Sequence, residues 1–208
     1  MSIAEIAENI EQEALNTPIG HLQELRKSIK QLERRPNSRI FSSSTISDEW
    51  AFHFGGRTEL QFNIGYESDG SELRYGVAFS LEPSQTLPDI SILFPKIRRF
   101  NHFMDLNPRY FDGFSMWHYA NQDDDGILYR PSTIADSLLV QGNFIFIGNK
   151  MPIDAINYGS IVQSWNYLLT IYKYVEAENG VEPDEIDDSG AEIAAGINFV
   201  AGHRPSQA

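Results

Sequence analysis

The residues from Trp50 to Glu82 alternate so regularly that they leave few folds open. Leu60, Phe62, Ile64 and Tyr66 interleave with Glu59, Gln61 and Asn63. After Glu67-Ser68-Asp69-Gly70-Ser71 the alternation resumes as Leu73, Tyr75, Val77, Phe79 and Leu81. Two period-2 runs joined by a Gly-containing polar turn predict an antiparallel hairpin with one buried face. The opposite face carries Arg57, Gln61, Asn63, Arg74 and Ser80, a surface suited to recognition and lacking any catalytic constellation.

A half-buried sheet needs a cover, and the flanking segments supply amphipathic helices. Ile3, Ile6, Ala7, Ile10 and Ala14 recur at helical spacing, giving a short acidic helix over 3–15. Thr17 as N-cap and Pro18 at the first position start a second helix, with Leu22, Leu25, Ile29 and Leu32 as its seam and Pro36 as its end. Asp89 caps a third, with Pro95 forcing a late start or a kink, and Asp154 caps the last. The expectation is an α+β fold. An antiparallel sheet, with strands near 50–54, 58–66, 72–82, 114–120 and 143–148, packs against amphipathic helices at 18–35, 89–105 and 154–175. Residues 1–17 form an acidic N-terminal helix, 18–175 one α+β domain, and 176–208 an acidic linker with the start of a following segment. That linker implies a fragment of something longer.

Charge at first argues against nucleic acid, since the formal net charge is -13. The acids concentrate in both tails, however, and such tails report little about the partners of the body. No cysteine is present, so neither a disulfide framework nor a thiolate zinc site is available. The N-terminus has no basic region followed by an apolar core, and no run is long enough to span a membrane, so a cytoplasmic protein is expected.

Catalytic motifs are missing. His21, His53, His102, His118 and His203 show no metal-ligand spacing. No Gly-x-Ser-x-Gly elbow occurs, and Gly55-Gly56-Arg57-Thr58 lacks the lysine of a phosphate loop, so its glycines are expected to bend a strand. Pro88-Asp89 has no Glu-x-Lys partner for Mg²⁺-dependent cleavage. Asn121, Asp123, Asp125 and Gly126 match half of a calcium loop, but position twelve is Ser132 instead of a glutamate. The sequence therefore calls for no catalytic residue, no metal and no cofactor. A small-molecule hydrolase or transferase using His53, Glu59 or His118, and a protein-interaction domain, stand as the alternatives.

Between Arg98 and Tyr119 aromatic residues interleave with Arg98, Arg99, Asn101, His102, Arg109 and His118. Proteins that extract a base stack it on aromatic faces and read its edge with polar groups. The same aromatics also serve as core, and both readings stay open; Trp117 and Tyr119, beside a polar turn, are the candidates for exposure. The DNA-contact candidates are Arg57, Arg98, Arg99, Asn101 and His102. The base-pocket candidates are Trp50, His53, Tyr66, Trp117 and Tyr119.

The series Phe54-Gly55-Gly56-Arg57, Leu60 to Gly65 and Leu73 to Glu82, together with Arg99-Phe100-Asn101, resembles the N-terminal DNA reader of bacterial modification-dependent, McrB-type restriction endonucleases. The resemblance covers residues 40–175 and rests on element order and a short Tyr-Gly-hydrophobic strand. It implies a non-catalytic module that binds double-stranded DNA and senses methylated or hydroxymethylated cytosine, with cleavage encoded beyond Ala208.

Overall fold

The alternating runs do pair. In the computed structural model, which describes residues 1–30, 39–120 and 125–177, β2 (Gln61–Tyr66) and β3 (Glu72–Ser80) form the expected hairpin, with Phe62 opposite Val77 and Ile64 opposite Tyr75. Gly70, at φ 68°, and the Asp69 carboxylate, which accepts from the Ser71 backbone N–H at 2.9 Å, close the turn. Strands β1 (Trp50–Phe52), β4 (Ser115–Tyr119), β5 (Ile127–Tyr129) and β6 (Phe144–Pro152) complete a six-stranded antiparallel sheet of order β1-β2-β3-β6-β4-β5. Strand β5 was not foreseen, because a three-residue edge strand carries too little periodicity to register.

Helices α1 (Ile3–Ala14), α2 (Leu22–Lys30), α3 (Phe94–Leu106) and α4 (Tyr158–Glu176) form the second layer. Phe62, Ile64, Val77, Phe79, Ile145 and Ile147 from the sheet share one core with Ile3, Ile6, Ile10, Phe100, Phe103, Trp165, Leu168 and Tyr172. The fold is α+β, with the four described helices on one face of the sheet. Ser2 and Glu5 form a reciprocal capping box that starts α1.

Three of the expected caps act differently. Thr17 makes no cap bond to the following turn; its hydroxyl donates back to Ala14 O at 2.9 Å, and Pro18–His21 form a 3-10 turn before α2. Asp89 accepts from the Ser91 N–H, capping a 3-10 turn over Ile90–Leu93, and α3 starts late, with Pro95 in its first turn. Asn157, not Asp154, caps α4 through Ser160 N at 3.0 Å, because Asp154 is consumed in a 3-10 turn that ends β6. The expected helix end at Pro36, the Asp123-Asp124 half of the acidic turn and the linker from 178 onward lie outside the described residues.

Candidate functional site in the open face of the sheet

Because the described helices sit on one side, the other face of the sheet has no second layer among the described residues. Strand registers bring specific residues into rows across this face. Phe52 lies beside Asn63, Asn63 beside Gly76, and Gly76 beside Gly148. Gln61 lies beside Ala78, then Phe146 and Trp117; Ser80 lies beside Phe144, then Tyr119. Bulky rings therefore stand at both sides of the sheet, while its middle carries small or polar groups. The result is a trough.

That trough holds a cavity of about 430 Å³, within the range of small-molecule sites. Gln61, Asn63 and Ser80 belong to its floor, Trp50 and Phe52 to one wall, and Tyr119 and Phe144 to the other. Trp50 and Phe52 stack at 5.5 Å on β1. Trp117, Tyr119, Phe144, Phe146 and Ala78 form a small separate apolar cluster on the far wall.

Among the described residues, three cations line or border the trough, each with a carboxylate. Arg57 lies over the Phe52 ring and donates to Ser80 Oγ and Glu82, both at 3.1 Å. Arg74 lies 5.6 Å from the Tyr119 ring centroid and 5.4 Å from that of Phe144, donates to Tyr66 O at 2.7 Å, and approaches Glu67 at 3.7 Å. Lys150 sits 4.6 Å over the Trp117 ring and binds Glu67 at 2.6 Å. Gly65 makes this possible, for a Cβ there would fall 2.5 Å from the Arg74 guanidinium. Tyr119 donates to Glu67 at 3.1 Å, and burial together with that carboxylate pushes its hydroxyl pKa up.

The floor is incompletely satisfied. Asn63 Nδ2 donates to Gln61 Oε1 at 3.4 Å, and this single bond leaves Gln61 Nε2 and Asn63 Oδ1 without partners. Both residues are almost fully buried, at 1% and 3% exposure. Arg74 Nε is likewise buried and unpaired. Unpaired buried polar groups cost about 1–3 kcal/mol each, so three in one cavity call for a reason.

No family model, curated protein or solved structure matches this chain.

The residues singled out in the sequence divide between two sides of the sheet. Trp50, Arg57, Tyr66 and Tyr119 line the cavity, although the Tyr66 hydroxyl turns to Met1 O at 2.5 Å. Trp117 lies on the same face and, with Tyr119, is less exposed than expected, at 9% and 5%, because Phe144, Phe146 and Lys150 cover the pair. Arg98, Arg99, Asn101 and His102 sit on α3, in the helix layer. Arg99 donates to Val175 O at 2.6 Å, Asn101 exchanges two bonds with the Ile134 backbone, and His102 packs against Tyr174.

His53 is fully buried in an ion network between the sheet and helices α2 and α4. Its Nδ1 accepts the Phe62 N–H at 3.0 Å, so Nε2 carries the proton and donates to Glu59 at 3.1 Å. Arg26 grips Glu59 through Nε and Nη2 at 2.9 and 2.6 Å, and Tyr172 donates to it at 2.6 Å. Lys30 bridges Glu59 and Glu176 at 2.9 Å each, and Lys96 adds a 2.5 Å bond to Glu176. Gly55 and Gly56 serve this network: a Cβ on Gly55 would fall 2.0 Å from the Arg26 guanidinium, and one on Gly56 2.8 Å from the His53 ring. Gly55 also takes φ 86° at the turn. None of His53, Glu59 and His118 lines the sheet cavity.

Sequence reasoning placed Gln61, Asn63, Arg74 and Ser80 on the open face but did not gather them into a site. The signal was the alternation itself, which sets their side chains opposite the core. Phe52, Phe144, Glu67 and Lys150 were missed, because only the strand order shows that β1 and β6 flank the hairpin.

Proposed function

We propose that this chain is a non-catalytic reader that takes a modified base out of double-stranded DNA and holds it in the sheet cavity. The observation that carries this reading is the pair of buried, unpaired amide atoms, Gln61 Nε2 and Asn63 Oδ1, between aromatic walls. An extruded base supplies what such a site lacks: a polar edge for the amides and a π-face for the rings. Two of the acids at the trough, Glu82 and Glu67, are engaged by Arg57, Arg74 and Lys150, which suits binding rather than proton transfer.

The test is a titration of the full chain with duplexes carrying plain, methylated and hydroxymethylated cytosine, at several salt concentrations. Trp50→Ala, on the edge strand, should lower affinity for the preferred duplex by about 1–3 kcal/mol, the value of one stacked base, with an unchanged melting curve. Equal affinity of the folded variant and the parent for every duplex rejects the site.

A further inference from the structure

One edge of the sheet is apolar and uncovered beside the cavity. Strand β5 is the last of the six, with no strand on its outer side among the described residues. Edge strands are ordinarily guarded by charged side chains or proline, yet Ile127, Leu128 and Tyr129 stand 56%, 63% and 40% exposed. Leu128 is the register partner of Trp117, so it projects from the open face, one strand beyond the far wall of the cavity. The start of β5 is fastened to that wall and to the cavity lip. A Cβ on Gly126 would fall 2.6 Å from the Tyr119 ring, and Ser68, which lines the cavity, donates to Asp125 at 2.8 Å. Past the other end of β5, the side chains of Arg130 and Arg109 are 89% and 90% exposed and share the carboxylate of Asp112, at 4.0 and 3.1 Å. That trio carries one surplus positive charge in a chain whose net charge is -13.

An exposed apolar side chain beside a surplus cation, at the lip of the cavity, fits one kind of partner. A duplex that gives up a base is left with a gap in its stack. Proteins that open or kink DNA fill such gaps with Leu, Phe, Ile or Met, while cations hold the neighbouring phosphates. On the reading of the cavity as a base site, we infer that Leu128 is the wedge that enters the gap, with Arg130 and Arg109 against the phosphates next to it. The floor on β3 and the wedge on β5 are three strand spacings apart, about 14 Å. One nucleotide covers that displacement by turning out of the stack about its backbone. Leu128 is thus a positioning residue: it keeps the duplex open without touching the base in the cavity.

The probes are duplexes with one plain, methylated or hydroxymethylated cytosine beside a fluorescent aminopurine, and the same labelled strands alone. Aminopurine brightens when its neighbour leaves the stack, so the full chain should raise the fluorescence of the duplex that it binds best. Leu128→Ala should lose that rise and weaken duplex binding on the order of tenfold to a hundredfold, as an unstacked step left unfilled requires. Its affinity for the single strand should stay within about twofold, because no stack has to be opened. Leu128→Met keeps an apolar wedge and should behave as the parent, with melting curves run on both variants. Arg130→Gln should keep the fluorescence rise at saturation and make the plot of log affinity against log salt shallower by about 0.9. The wedge is overturned if Leu128→Ala keeps the rise, if single-strand and duplex affinity fall together, or if the parent binds without any rise. It is overturned equally if the parent sediments as a dimer that Leu128→Ala splits, which would make the edge a contact between copies. Binding of the single strands alone by the parent overturns the wedge and leaves the base site standing, and binding of no strand at all overturns both.

Discussion

At Glu59, five donor atoms from Arg26, Lys30, His53 and Tyr172 converge on two buried carboxylate oxygens. Burial alone would push the Glu59 pKa up, but the bonds from Arg26 and His53 more than reverse this and hold it well below its ordinary 4.5. Burial lowers the His53 pKa from 6.5, and the Glu59 bond only partly opposes that, so the ring folds neutral. Both shifts have one sign for stability. A depressed folded pKa contributes stability above the unfolded value and loses it as pH falls. The melting temperature should therefore decline in two stages, the first beginning below pH 6.5 from His53 and the second below 4.5 from Glu59. His53→Gln should remove the first stage in a pH series of thermal melts, and a persisting first stage would assign it elsewhere. Glu59→Gln leaves Arg26 buried against a neutral amide, while Lys30 keeps Glu176, at a cost of about 3–5 kcal/mol by urea denaturation.

The glycines divide by the element they occupy. Gly76 on β3 faces Gly148 on β6 across the sheet, and a Cβ on Gly76 would meet Ile147 O at 2.2 Å. Backbone cannot yield as a side-chain tip does, so Gly76→Ala should destabilise by about 1–3 kcal/mol, the usual cost of overpacking. Gly159, in the first turn of α4, is different. A Cβ there meets nothing closer than Asn157 Oδ1 at 3.4 Å, and Gly159→Ala should stabilise by about 0.4–1 kcal/mol by restricting the unfolded chain. Opposite shifts in the denaturation midpoint check the pair. The same elements mark how far the sequence could be read. The hairpin, the two-layer arrangement and the helical seams were legible because burial imposes a period on the residues that meet the core. The caps were less legible: Thr17 and Asp154 are good capping types, but adjacent 3-10 turns took the positions they would have capped. The site was legible only in half, as the polar residues of β2 and β3. Its walls come from β1, β4 and β6, and pairing between distant strands leaves no local pattern.

Across the whole molecule, charge decides what kind of nucleic-acid contact the open face can make. The chain is acidic, with a net charge of -13, and the three cations on this face among the described residues are engaged: Arg57 with Glu82, Arg74 and Lys150 with Glu67. A cation already neutralised by a neighbour releases few counterions from a phosphate, so affinity should depend only weakly on salt. Base contacts then carry most of the binding, as the cavity floor suggests, and the phosphates little. Glu67 is the residue through which this balance can be tested, since it lies 14% exposed between two of the three cations. Glu67→Gln keeps the shape and a hydrogen-bonding oxygen for Tyr119 while freeing Arg74 and Lys150. Duplex affinity should rise, and the plot of log affinity against log salt should steepen by about 0.9 for each cation that reaches a phosphate. Affinity for an uncharged nucleoside should stay within about twofold, because no phosphate is present to respond. A duplex slope unchanged by the substitution would mean that the backbone passes elsewhere, and the open face would then bind its ligand without the strand that carries it.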